Sequence, residues 1–248
     1  MHDDQPEPTP SPRDSAWFET THWSVVTSAC NLDDPLAREA LERLCQTYWQ
    51  PLYVFVRRQG RSAADAEDLV QGFFAKFIEK NYVAGIDAEK GRFRSFLLLM
   101  FKRYAANEWD HGQRERRGGG RSIISWDQQD TEQRYLLEPV DHLSPERAYD
   151  HQWALTVLDQ VLKQLGAEFR SSGKQGIFKE FKVFLSGEKG STYAEVGARL
   201  GLSEGAVKVG VHRFRQRYRE LLREEIANTV KAPGTVDDEL RDLLAALG

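Results

Sequence analysis

Wherever apolar residues recur along this chain, they recur at intervals of three and four. Over 36–56, Leu41, Leu44, Cys45, Tyr48, Leu52 and Phe55 keep that spacing, the signature of one buried helical face. Over 63–78, Leu69, Phe73, Phe77 and Ile78 share a face, with Val70 and Phe74 beside them. From position 92 onward, Phe93, Phe96, Leu97, Met100, Phe101 and Tyr104 fall at i, i+3, i+4, i+7, i+8 and i+11. The pattern then breaks at Gly118-Gly119-Gly120, and 118–146 carries little periodicity. It returns at Trp153, Thr156, Val157, Gln160 and Val161, and a further helix is predicted over 177–185. No run alternates apolar and polar long enough to read as a strand, and no internal repeat is present. The fold class is therefore all-α, with two small helical bundles joined by a long acidic linker.

The best-marked local structure lies at 192–223. Thr192 and Glu195 have the spacing of a capping box, and Tyr193, Val196, Gly197 and Leu200 form one apolar face behind it. Gly201-Leu202-Ser203 reads as a tight turn, with Gly201 suited to positive φ and Ser203 to capping the next helix. That helix buries Val207, Val211, Phe214, Tyr218, Leu221 and Leu222, so the second bundle ends in a helix-turn-helix. Its opposite stripe is Lys208, His212, Arg215 and Arg219, flanked by Ser203, Glu204, Arg213 and Arg217. A cationic helix of this width fits the major groove of duplex DNA, where it can contact phosphates and base edges. The plain alternative is a helical hairpin with an ordinary basic surface.

Charge sharpens the picture because it is segregated. The whole chain of 248 residues is only −4, yet 90–121 is +6, 122–147 is −4 and 208–223 is +5. Two basic blocks thus flank an acidic connector. The first 20 residues carry −4, and Pro6, Pro8, Pro10 and Pro12 alternate there, which predicts a disordered arm over 1–15. No stretch approaches the ~18 apolar residues of a membrane span, and the acidic N-terminus lacks a signal core. Two cysteines, Cys30 and Cys45, suit a reducing cytosol and cannot alone build a zinc site. No metal or cofactor is expected.

Two further clusters carry candidate chemistry. Asp65, Glu67, Asp68 and Gln71 gather at the start of the second helix. Acids there favour the helix dipole, a divalent-metal site is an enzymatic alternative, and a protein-docking surface is the third reading. The helix from 92 carries Arg103, Asn107, Asp110 and Arg114 on its polar side, with Arg117 beyond and Tyr104 and Trp109 nearby. Cations mixed with aromatics can hold unpaired bases, although aromatics at helical spacing more often belong to a core.

In order, these parts resemble a bacterial sigma factor of the extracytoplasmic-function type, in the sigma-70 family, from about residue 36 to 223. Asp65-Ala66-Glu67-Asp68-Leu69-Val70-Gln71-Gly72-Phe73-Phe74 resembles that family's core-polymerase-binding helix. Phe93-Arg94-Ser95-Phe96-Leu97, through Asn107, Asp110 and Arg114 to Arg117, resembles the helix that melts and reads the minus-ten element. The stretch 193–222, with Gly201-Leu202-Ser203-Glu204-Gly205-Ala206-Val207-Lys208 and His212-Arg213, resembles the helix-turn-helix that reads the minus-thirty-five element. The chain departs from the compact family pattern in its N-terminal arm, in Asp87 and Glu89 within 81–91, in its long connector and in a C-terminal segment over 233–248. There Leu240, Leu243, Leu244 and Leu247 keep helical spacing, and packing on its own domain is the expectation.

The resemblance implies a cytoplasmic, non-enzymatic subunit of bacterial RNA polymerase that directs promoter recognition, DNA melting and transcription initiation. Its partners would be core polymerase and promoter DNA, with an anti-sigma factor or a signalling kinase as a regulatory partner. The implied organisation is a polymerase and minus-ten domain over 16–117, an acidic linker over 118–150, a minus-thirty-five domain over 151–226 and an extension over 227–248. At about 3.3 Å per residue the 29 residues of 118–146 would reach up to ~95 Å. Two rivals stand beside this reading: a ligand-responsive helix-turn-helix regulator, and a metal-dependent enzyme built on Asp65, Glu67 and Asp68.

Overall fold

A computed structural model describes residues 35–79, 92–112, 132, 135, 143–185, 191–230 and 235–248, with the backbone alone at 35–40, 43, 79 and 109–112. The predicted N-terminal arm, the loop at 81–91, Arg114, Arg117, the glycine triplet and most of the acidic connector lie outside the described residues. Among the described residues, regular structure is helical throughout. The first three helices are α1 (Pro35–Arg58), α2 (Ala63–Glu79) and α3 (Phe93–Gly112). After the connector come α4 (Pro145–Ser171), α5 (Gln175–Lys182), α6 (Tyr193–Leu200), α7 (Glu204–Thr229) and α8 (Val236–Leu247). Helix α4 begins before position 151, where sequence alone set the edge of the second domain. Ser144 accepts from the Arg147 N–H and Pro145 occupies the first turn, a start signal of cap plus proline.

The apolar faces close two cores. The first gathers Leu44, Tyr48, Leu52 and Phe55 of α1, Val70, Phe73 and Phe74 of α2, and Phe93, Leu97 and Phe101 of α3. It also takes in Tyr149, Trp153, Ala154 and Val157 from α4, Ile226 from α7 and Leu243 from α8. The second gathers Val161 and Leu165 of α4, Phe181, Val196, and Val207, Val211, Phe214 and Leu221 of α7. Helices α4 and α7 therefore run through both cores. Helix α4 lies along α1, and Thr47 and Gln160 exchange hydrogen bonds of 3.2 and 3.0 Å between them.

Phe214 centres the second core. The rings of Phe169, Phe178 and Phe181 lie 5.3, 5.9 and 5.9 Å from it, largely edge-on, a geometry aromatic quadrupoles favour. Helix α8 packs against α4 and α7, its own bundle, and in addition reaches the start of α3. There Arg94, 5% exposed, donates to Glu239 at 2.8 Å and Asp242 at 3.0 Å, and pairs with Asp150. Its guanidinium also lies 4.5 Å from the Trp153 ring centre.

Trp153 is fully buried under this cluster and contributes to the joint between α4 and the first three helices. Trp153→Ala should lower unfolding free energy by about 3–5 kcal/mol, the cost of an aromatic truncation in a packed core. Leu244→Ala, at a side chain 63% exposed, should shift it by under about 0.5 kcal/mol. Urea unfolding followed by far-UV circular dichroism measures both.

Candidate nucleic-acid interface

The turn between α6 and α7 is built by local chemistry. Thr192 accepts from the Glu195 N–H at 3.3 Å, and the Glu195 carboxylate accepts from the Thr192 N–H at 2.7 Å. That backbone hydrogen bond holds the Glu195 carboxyl below the usual carboxylate range. Gly201 ends α6 at φ +66°, where a side chain is strained. A Cβ on Gly197 would sit 2.6 Å from the Leu202 carbonyl oxygen, so glycine allows the turn to fold back on α6. Ser203 caps α7 by accepting from the Ala206 N–H at 3.2 Å.

Helix α7 emerges from this turn with a mostly open polar side. Glu204, Lys208, His212, Arg213 and Arg219 are exposed, and none forms an ion pair with another described residue. Arg215 behaves differently: it donates to the Phe184 carbonyl at 2.7 and 3.2 Å, closing the end of α5. Arg217 pairs with Glu168, Glu220 and Glu224. The open cations are thus Lys208, Arg213 and Arg219. Sequence reasoning missed two apolar side chains on the same surface, Leu202 and Val209, at 41% and 53% exposure. Their signal was an apolar residue off the buried stripe; a Val on a groove-facing helix can meet a thymine methyl.

On α3, Arg103 and Asn107 are exposed one turn apart, as the predicted polar side requires, with Leu99 (49% exposed) a further turn back. Asp110 lies in the helix, but its side chain and that of Trp109 fall outside the described residues. Tyr104 belongs to the wall of the first core, its ring 5.7 Å from Phe73 and capped by the Lys76 amine at 5.1 Å. Lys76 also pairs with Glu108, and Lys102 with Glu146 at 2.6 Å. The start of α3 is no open cation site either, because Arg92 pairs with Glu239 at 2.8 Å and with Asp242.

The acidic cluster opens α2. Asp65 and Asp68 are exposed, while Glu67 and Gln71 are half-buried. Asp65 has a local role, since its N–H donates to Ser62 Oγ at 3.1 Å and its carboxylate accepts the Ser62 hydroxyl at 2.7 Å. Partial burial, then the Asp68 and Glu132 carboxylates, push the Glu67 carboxyl above its ordinary range. Glu132 and Tyr135, from the connector, sit beside it on α1. Glu132 pairs with Arg57 at 2.7 Å and accepts from Tyr53, and Tyr135 lies 4.8 Å beneath the Arg57 guanidinium. Among the described residues, no three His, Cys, Asp or Glu side chains gather as metal ligands.

Exposed cations thus gather on α7, while α3 presents Arg103 beside Asn107 and Leu99. No family model matches the chain, and no solved structure does. Among characterised proteins it is similar to the ECF RNA polymerase sigma factor SigE of Mycolicibacterium smegmatis (strain ATCC 700084 / mc(2)155). The two are 26% identical over 222 residues, 88% of this chain and 76% of the relative. It is similar to the ECF RNA polymerase sigma factor SigX of Bacillus subtilis (strain 168), 26% identical over 210 residues, 82% of this chain and 91% of the relative.

The different work of two arginines can be read directly. Arg219→Ala should leave stability unchanged while lowering duplex affinity at all sequences, with the salt slope reduced by about one. Arg215→Ala should lower the melting temperature, because the Phe184 carbonyl loses its donors. Salt-titrated fluorescence anisotropy and thermal melts on the same samples distinguish them.

Proposed function

We propose that this chain acts in transcription initiation as an ECF sigma factor of the sigma-70 family, and that its surfaces divide that task. Asp65, Glu67, Asp68 and Gln71 at the start of α2 dock on core RNA polymerase. Arg103, Asn107, Asp110, Arg114 and Arg117 capture the minus-ten element as it opens. Ser203, Glu204, Lys208, His212, Arg213 and Arg219 form the helix-turn-helix surface for the minus-thirty-five element. The chain carries out no bond chemistry of its own and works beside the polymerase in the cytoplasm. An anti-sigma factor or a signalling kinase is its class of regulator.

The observation that carries this division is that α7 and α3 each present exposed cations outside any ion pair among the described residues, Lys208, Arg213 and Arg219 on the one and Arg103 on the other, with different companions. Helix α7 offers exposed Lys208, Arg213 and Arg219 beside a capped turn, which suits duplex backbone. Helix α3 offers Arg103 with the amide of Asn107 and the apolar Leu99, which suits a base out of its stack. Extruding a base costs about a few kcal/mol, so a small surface that meets it only after opening can decide the melting step. Lys208 and Arg219 contact phosphates, which set position, while His212, Glu204 and Val209 face base edges, which set sequence. Arg215 supports that surface from behind through the Phe184 carbonyl.

Location and opening should therefore separate. Arg103→Ala with Asn107→Ala should leave gel-shift recruitment by polymerase within about twofold. Reactivity of unpaired thymines to permanganate should fall about tenfold, and a pre-melted bubble template should restore it. Parallel loss of both signals would make the α3 surface merely structural. Glu67→Arg with Asp68→Arg should abolish co-purification with core polymerase without changing the circular dichroism spectrum; full retention would move the docking surface elsewhere.

A further inference from the structure

The start of α3 raises a problem for a protein that must read two promoter elements at once. Elements centred at minus ten and minus thirty-five are about 25 base pairs apart, roughly 85 Å at about 3.4 Å per pair. Helices α4 and α7, which cross both cores, have 27 and 26 residues, or about 40 Å each at 1.5 Å per residue. Each rod is about half as long as that separation, so reading both elements at once requires the α3 and α7 surfaces to lie well over one rod's length apart.

Besides the exposed Lys102–Glu146 pair, the charged part of that joint is concentrated at one place. Arg94 is held by Glu239, Asp242 and Asp150, and Arg92 by Glu239 and Asp242. The Tyr149 hydroxyl donates to the Arg94 carbonyl at 3.0 Å, fixing the backbone as well. Two of the three carboxylates come from α8, the segment beyond the helix-turn-helix. The side chain of Glu239 is fully buried, whereas those of Asp150 and Asp242 are 42% and 37% exposed. Solvent, or a competing charged partner, can reach the outer pairs first. Beneath them, the packing of α4 on α1 is mostly apolar with the Thr47–Gln160 pair set into it, so the closed form is a defined state rather than a loose association.

We propose that α8 is an autoinhibitory clasp: Glu239 and Asp242, with Asp150 of α4, grip Arg92 and Arg94 of α3 and hold the free chain closed. The clasp must release before the two DNA surfaces can engage one promoter. This inference rests on the sigma-factor reading for its purpose, but the closed joint and its release can be measured without polymerase or DNA. Release leaves α6, the turn and the reading half of α7 untouched, because their core of Val196, Val207, Val211 and Phe214 lies in the second cluster.

The test uses the full-length chain with Cys30→Ser; burial pushes the Cys45 thiol up to about 12, so it labels poorly. Spin labels at Ala64→Cys on α2 and Gln175→Cys on α5 report the distance between the halves. In the parent, one narrow distance is expected. Asp150→Asn with Asp242→Asn keeps the buried Glu239 pair and hence the fold, and should add a broad, longer population. With limiting core polymerase, that variant should give about tenfold more transcript from a two-element promoter. A second variant, Arg92→Cys with Asp242→Cys, is joined by a short bismaleimide. Linked, it should still bind core polymerase but lose transcription, and its unlinked form should transcribe at or above the parent level. Equal transcription by linked and unlinked forms overturns the clasp, as does an unchanged distance distribution in the Asn variant. If neither parent nor variants transcribe with core polymerase, the sigma-factor reading fails, and the distance measurement alone decides whether α8 holds the halves together.

Discussion

A buried guanidinium imposes the constraint on which the rest of this structure depends. Arg94 cannot lose its proton and cannot reach water, so it must be surrounded by partners. It finds carboxylates on α4 and α8 and the face of Trp153. Removing one partner from such a buried pair typically costs about 3–5 kcal/mol, although the pair as a whole can contribute little net stability. Its effect is on arrangement. The start of α3 sits where α4 and α8 can both reach it, and that fixes the direction in which Arg103 and Asn107 leave the helix further along.

Cationic side chains of this chain do two kinds of work. Arg57, Arg94, Arg215 and Arg217 face inward, on Glu132, the α8 carboxylates, the Phe184 carbonyl and Glu168. Lys208, Arg213, Arg219 and Arg103 face outward. Net charge by segment treats the two kinds alike, so the +6 and +5 blocks overstate the cationic surface. The functional contrast proposed between α3 and α7 rests on what accompanies the outward charges: an amide and an exposed leucine in one case, a capped turn in the other.

Local features were legible in the sequence because local physics makes them. Helix spacing placed α1 and α2 to within two residues at their described ends and found the starts of α3 and α7, but α7 runs on to Thr229, six residues past the expected 223. The capping box at Thr192 and Glu195, the left-handed Gly201 and the Ser203 cap each involve groups within a few residues of one another. The clasp was not legible, since Arg94 and Glu239 are separated by 145 positions and ion pairing has no periodicity. For the same reason, Arg215 looked like any other cation on the stripe until the end of α5 was seen beneath it. Val209 and Leu99 were hidden differently, because an apolar residue off the buried face is noticed only once that face is known. The sequence placed Tyr104 on a helical apolar stripe, and its contact with Phe73 settles it there as core.

The central claim is that this chain confers promoter-specific initiation on a polymerase that lacks it. Run-off transcription by purified bacterial core polymerase on genomic DNA fragments, with and without the protein, addresses it most directly. Discrete transcripts starting downstream of a shared pair of upstream elements, present only when the protein is added, are the predicted result. Identical transcript patterns in the two reactions, with the protein shown to be folded, would contradict it.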